Sequence, residues 1–227
     1  MIPLRDDVPS RRVPAVMGLL IAANIVVFLG EVSLPPPRQE AVFYTFGLVP
    51  AAYFDVESGP EAQPVPSRIW PFVTHMFLHA GWLHLLSNMW FLWIFGDNVE
   101  DRMGHVLFLL FYLVCGLAAA STQLLLSRNS SVPMVGASGA VAGVLGAYVL
   151  LYPLARITVL LPILLYPLFF RVPALVFIVV WFGFQVYSGT QSLWKSGLAE
   201  GVAWWAHVGG FAAGMLMCPL LAQRRRQ

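Results

Sequence analysis

The chain has 227 residues, 59% of them hydrophobic and only 11% charged, and its mean hydropathy is +0.74. Soluble globular domains carry about a quarter of their residues as charges, so the composition excludes one and marks a polytopic membrane protein. The net charge of +2 comes mostly from the tail Arg224-Arg225-Arg226; with no soluble basic domain, it faces anionic lipid headgroups and not nucleic acid.

Uncharged stretches of about 18 residues or more are candidate spanning helices. The first, Val13 to Gly30, follows a short N-terminal segment, 1–12. It is long, lacks a small-residue cleavage pattern and precedes Pro35-Pro36-Pro37, which predicts an uncleaved anchor. Residues 31–68 form the one long polar connection, with Glu31, Glu40, Asp55, Glu57 and Glu61. The apolar continuation to Trp82 carries His75, His79 and Gly81, so an outer loop over 31–82 ends in the membrane interface. A second span is read over Ile69 to Gly96, its helix beginning near Leu83, a third over Met103 to Ser127 and a fourth over Asn129 to Ala155. The next apolar stretch, Ile157 to Phe170, is too short to span and is broken by Pro162 and Pro167, which fits an interfacial or re-entrant segment. Val172 to Trp194 and Gly201 to Gln223 complete the set. The expectation is an all-α bundle of six transmembrane helices forming a single membrane domain over 1–227.

The basic residues orient it. With both termini cytoplasmic, Arg5, Arg11, Arg12, Arg102, Arg156, Arg171 and the tail lie inside, against Arg38, Arg68, Arg128 and Lys195 outside. A seven-span reading would send the basic tail outside. Cys115 and Cys218 fall within spans and read as small buried hydrophobes, not as a disulfide.

Polar groups placed in hydrocarbon face the bundle interior and mark function. Ser138 stands at the outer start of the fourth span within Gly136-Ala137-Ser138-Gly139, where glycines allow a sharp turn and bare N–H groups. His207 lies in the last span at a similar depth, roughly 10 Å along a helix from Glu200. His84 and Asn88, four apart, share one face at the outer end of the second span, both as hydrogen-bond donors. Gly139, Gly143 and Gly146 recur on one helix face, as do His207, Gly210 and Gly214, and small faces let membrane helices approach closely. Such an approach brings a hydroxyl and an imidazole within hydrogen-bonding reach, the requirement for a nucleophile and its base. Taken singly, Ser138 reads as a small residue in a Gly-rich helix and His207 as a satisfied core histidine; their combination with His84 and Asn88 favours chemistry. Glu100 and Arg102, in a short inner loop, read as a structural clamp. His75 and His79 share a face, but no His-Glu-x-x-His and no accompanying carboxylate occur, so they read as capping and loop-packing residues with no metal.

This pattern resembles the rhomboid intramembrane serine proteases. His84-Leu85-Leu86-Ser87-Asn88 matches the family's His-x-x-x-Asn, Glu100-Asp101-Arg102-Met103-Gly104 its Glu-x-Arg-x-Gly, Gly136-Ala137-Ser138-Gly139 its Gly-x-Ser-Gly, and Ala206-His207 with Gly210 and Gly214 its last helix. The resemblance covers roughly Ile69 to Leu221. It implies Ser138 as nucleophile and His207 as general base, a dyad without a carboxylate, with His84, Asn88 and the Ser138 N–H forming an oxyanion hole. The residues agree, because no acid is available near the depth of His207; Glu200 lies too near the surface. Two positions depart from the pattern. Trp70-Pro71 replaces the Trp-Arg of some rhomboids, and Ala142 stands where some place a tyrosine against the imidazole, leaving Trp204 or Trp205 to support His207.

The implied activity is hydrolysis of a peptide bond within or beside the transmembrane segment of a single-span substrate, with no cofactor, and the architecture suits a bacterial inner membrane. The alternative is a catalytically silent rhomboid-like protein that routes membrane clients, against which both Ser138 and His207 stand. A transporter would show half-helix breaks in repeat-related positions, which the sequence lacks.

Overall fold

An extended N-terminal strand, β1 (Ile2–Arg5), precedes the first long helix, α1 (Ala15–Val32), in which Glu31, in the last turn, is the lone charged residue. The computed structural model describes residues 1–54, 68–163, 166–194 and 202–222. Asp55, Glu57 and Glu61 of the outer loop, Lys195, Glu200 and the Arg224-Arg225-Arg226 tail lie outside the described residues. Two short helices, α2 (Pro36–Phe46) and α3 (Ala51–Phe54), occupy part of the loop, Pro35-Pro36-Pro37 setting the start of α2. A further turn, α4 (Pro71–Thr74), runs into a 3₁₀ turn over His75–Phe77. The long helix α5 (Trp82–Met103) is followed after Gly104 by α6 (His105–Leu126). Gly104 has φ +81°, a conformation that favours glycine and lets the chain reverse between two helices one residue apart. Then come α7 (Ser138–Leu151), a hairpin of β2 (Arg156–Ile163) and β3 (Tyr166–Pro173), α8 (Ala174–Trp194) and α9 (Trp204–Leu221).

Several expectations change. The mostly helical fold is not all-α: Ile157 to Phe170, expected as an interfacial or re-entrant segment, contributes to an antiparallel pair of strands, with β1 added to give the order β1-β2-β3. The reason lies in its β-branched and aromatic residues and in the prolines, which pair with each other near the turn (Pro162 opposite Pro167), where fewer ladder bonds are lost. The second helix extends through the Glu100 to Met103 segment, so Glu100 and Arg102 stand in its last turn and not in a loop. The fourth helix is shorter than the stretch Asn129 to Ala155, because residues 129–137 run irregularly and Leu48 bridges to Met134. Among the described residues, four helices are long and apolar enough to cross a membrane: α1, α6, most of α8, and α9. The chain is an integral multi-pass membrane protein.

At the centre stands α7. Every residue from Gly139 to Val149 is buried, and at 1.5 Å per residue its 14 residues reach about 21 Å, short of a ~30 Å hydrocarbon layer. Glycines make the burial possible. A Cβ at Gly210 would fall on the carbonyl of Gly139, and one at Gly214 on the carbonyl of Gly143, so α9 meets α7 backbone to backbone. The absent Cβ atoms of Gly139 and Gly143 themselves face Ala119 and Cys115 of α6, while Gly146 faces the Phe211 carbonyl of α9. The glycines of α7 thus serve two neighbours and not one.

The end of the bundle away from Ser138 is closed by polar contacts. Glu100 accepts hydrogen bonds from the Val16 and Met17 N–H groups at 2.9 and 2.7 Å, capping the first turn of α1, and contacts His105 Nδ1 at 2.5 Å. Tyr148 and Asn98 donate to one oxygen of Asp6. The Arg102 guanidinium lies 5.9 Å from the centre of the Tyr152 ring.

Candidate active site

Ser138 is the first residue of α7, in the turn whose N–H groups have no intrahelical acceptor. The residues before it are fixed by the first loop. The Gly136 N–H donates to the His75 carbonyl at 2.8 Å, and Leu48 and Met134 exchange backbone bonds at 3.0 and 2.7 Å. Gly136 has φ +122°, and a Cβ there would meet His84 Nε2 at 2.6 Å and Asn88 Nδ2 at 3.6 Å. Glycine is therefore required twice over, by conformation and by space. The same contacts place both side chains of the His-x-x-x-Asn segment against the loop that leads into Ser138.

From the other side, α9 brings His207. Its Nε2 lies 2.8 Å from Ser138 Oγ, and the residue is 8% exposed. Its second nitrogen, Nδ1, lies 2.7 Å from Oε1 of Gln185 on α8. Gln185, 4% exposed, is the site neighbour that the sequence reading missed; an amide within an apolar span was the available signal. The imidazole also meets the rings of Trp181, 6.0 Å away, and Trp204, 6.2 Å away and nearly perpendicular. Of the two tryptophans expected beside His207, Trp204 adjoins it, whereas the Trp205 ring packs beside Gly189.

Around this pair opens a cavity of about 580 Å³, walled by α5, α7, α8 and α9, with Ser138, His207, His84, Asn88 and Gln185 on its lining. Apolar walls are supplied by Phe91, Val141, Leu145 and Trp181. Asn88 is 6% exposed, and its Nδ2 meets no acceptor among the described residues. A buried donor without a partner costs about 1–3 kcal/mol, and here it borders the cavity that Ser138 also lines.

His75 and His79 do not share a helix face, since the 3₁₀ turn ends between them. His75 Nδ1 pairs with the Pro71 carbonyl at 2.7 Å. The His79 N–H donates to Glu31 at 3.2 Å, and the His79 ring stands edge-on to His84 with centres 5.1 Å apart. Glu31, expected in the polar loop, is buried in the last turn of α1 and ties that helix to the segment preceding α5.

The helical membrane bundle thus holds a partly buried serine hydroxyl against a buried imidazole, both on the lining of an open cavity. Residues 66–224 match the rhomboid domain. Three relatives illustrate the breadth of the match. Rhomboid-like protein 11, chloroplastic, from Arabidopsis thaliana is 48% identical over 80 residues, 35% of this chain and 28% of that protein. Rhomboid protease GluP from Bacillus subtilis is 40% identical over 78 residues, 34% and 15%. Rhomboid protease GlpG from Haemophilus influenzae is 33% identical over 87 residues, 38% and 44%. The chain belongs to the rhomboid family. Each of these alignments covers less than half the length of the relative.

Proposed function

We propose that this rhomboid protein is an intramembrane serine endopeptidase that cleaves single-span membrane proteins within or beside their transmembrane segment. The observation that carries the reading is the 2.8 Å contact between His207 Nε2 and Ser138 Oγ at a cavity large enough for a stretch of extended peptide. In the proposed reaction Ser138 Oγ attacks the scissile carbonyl while its proton passes to His207 Nε2. The carbonyl oxygen, now anionic, is held by His84, Asn88 and the Ser138 N–H. Collapse breaks the C–N bond, His207 returns the proton to the leaving amine, and a water molecule then hydrolyses the acyl-enzyme by the same route in reverse. A substrate helix must unwind locally, because its carbonyls are otherwise bound within the helix; small, helix-breaking residues near the cut follow as the preference.

The six-span arrangement, with α5 and α7 joining the four apolar helices, both termini cytoplasmic and a bacterial inner membrane as location, belongs to the same proposal. Its support is the bias of the basic residues and the order of the long helices. The whole chain acts as one membrane domain in this reading, without cofactor or metal.

The test is reconstitution in liposomes with a panel of single-span reporter substrates and a fluorophosphonate probe. The wild type is expected to cleave and to be labelled; Ser138→Ala and His207→Ala, folded to the same thermal midpoint, are expected to do neither. Residual cleavage above ~1% in either variant would sink the dyad, since removing one member of such a unit costs about as much as removing all. A folded wild type that binds the reporters without cleaving any would favour the client-routing alternative.

A further inference from the structure

We infer that Gln185 is a positioning residue for His207, holding the imidazole in the tautomer whose Nε2 is free to take the Ser138 proton. The inference rests on the reading of Ser138 and His207 as nucleophile and base, and adds a third member to that pair.

The direction of each hydrogen bond follows from one carbonyl. Gln185 Nε2 lies 3.4 Å from the Trp181 carbonyl, one turn earlier on α8, and a carbonyl only accepts. The amide nitrogen therefore belongs on that side and the amide oxygen toward His207, 2.7 Å from Nδ1. An oxygen there requires Nδ1 to carry a hydrogen. In a neutral imidazole the other nitrogen, Nε2, is then the bare acceptor, so the Ser138 hydroxyl, 2.8 Å away, is the donor. The chain of donation runs from Ser138 to His207 to Gln185 to Trp181, and each link points the way that general-base chemistry requires.

Around it, α8 is an apolar helix, with Val179, Val180, Phe184 and Tyr187 more than half exposed on its outer surface. A buried amide in such a helix is costly unless bonded, and Gln185 finds a donor in the imidazole Nδ1–H and an acceptor in the Trp181 carbonyl of its own helix. A neutral amide replaces the carboxylate that orients the imidazole in a serine–histidine–aspartate triad. It fixes the ring without adding charge to the bundle interior. It also makes the base depend on α8, a helix that carries neither Ser138 nor His207.

The test uses full-length protein in liposomes, with Gln185→Met, which keeps length and volume but loses the strong acceptor, and Gln185→Glu, which restores an acceptor oxygen. Nitrogen-15 spectra of histidine-labelled protein, with the His207 signals assigned by loss in His207→Ala, are expected to show Nδ1 protonated and Nε2 bare in the wild type. Gln185→Met is expected to lower kcat by about 10²-fold with KM little changed, the scale of a misplaced catalytic group, and to mix the tautomers; Gln185→Glu is expected to recover part of kcat. A wild-type His207 protonated on Nε2 overturns the inference, whether or not the protein cleaves anything. So does Gln185→Met with kcat within about 2-fold of wild type, or with the loss confined to KM, in a protein that Ser138→Ala inactivates. Equal cleavage by wild type and Ser138→Ala would instead overturn the dyad reading, leaving the spectra to decide the tautomer.

Discussion

Two asparagines on α5, Asn88 and Asn98, are buried almost equally, at 6% and 1% exposure, yet their amides have opposite surroundings. Asn98 Nδ2 donates to Asp6 at 2.9 Å and to Asp97 at 3.0 Å. Asn88 Nδ2 meets no acceptor among the described residues and borders the cavity with Ser138. The Asn98 amide is consumed by two carboxylates; the Asn88 amide is left available. Buried polar groups are ordinarily satisfied; the closed amide fastens the N-terminal segment through Asp6, while the open one is the donor to which the proposed reaction assigns the oxyanion.

The contrast can be broken most severely at the glycines that hold the site end together. Gly210→Val would drive its side chain into the Gly139 backbone. Separation of α7 from α9 is expected to abolish cleavage and to cost stability at or above the ~1–3 kcal/mol of ordinary overpacking. Full activity with an unchanged thermal midpoint would show that close approach does not set the Ser138 to His207 distance.

Asn88→Ala sharpens the contrast from the site end. The expected loss is in kcat, up to ~10²–10³-fold if Asn88 acts as a side-chain donor to an oxyanion, with thermal stability level or slightly raised because an unpaired amide has been removed. Unchanged kcat would make Asn88 a structural residue.

Asn98→Ala is the mirror experiment. Asp6 and Asp97 lose a donor, and a stability loss of about 1–3 kcal/mol is expected, with kcat per folded molecule as in the wild type. If this variant lowers kcat while keeping its thermal midpoint, the two ends are not separable in the way their hydrogen bonds imply.

The smallest effect concerns pH. Burial raises the Asp6 carboxyl above its ordinary 3.8, with the neighbouring Asp7 adding to the shift and the Tyr148 hydrogen bond opposing it. A raised carboxyl binds its proton more readily in the folded state, so its contribution to stability is present below pH 3.8 and declines as pH climbs through the raised value. The thermal midpoint of the wild type relative to Asp6→Asn is therefore expected to fall as pH rises above 3.8. A difference that grows with pH would mean that the Tyr148 and Asn98 donors hold Asp6 as a carboxylate.

Long helices were legible because hydrocarbon-length runs of apolar residues leave few alternatives, and the boundaries failed where that rule does not apply. The stretch from Ile157 to Phe170 is apolar without being long, and such runs do not distinguish helix from strand. Its partner β1 lies more than 150 residues earlier in the chain, and a pairing of that range leaves no local pattern. Glu31 and Glu100 looked like loop residues because they are charged; each is buried because it caps backbone N–H groups from a distant segment.

By itself, the sequence determined the membrane class, the rhomboid motifs and the four residue types, Ser138, His207, His84 and Asn88, that the proposed chemistry needs. Composition gave the class, the resemblance gave the motifs, and spacing paired His84 with Asn88, since residues four apart share a helix face whatever the surroundings. The tertiary structure alone decided that Ser138 and His207 stand 2.8 Å apart, that α7 is gripped by α6 as well as α9, and that the second imidazole nitrogen belongs to Gln185. Each of these is a contact between helices distant in sequence, set by how closely backbones approach, and no periodicity within one helix records what packs against it.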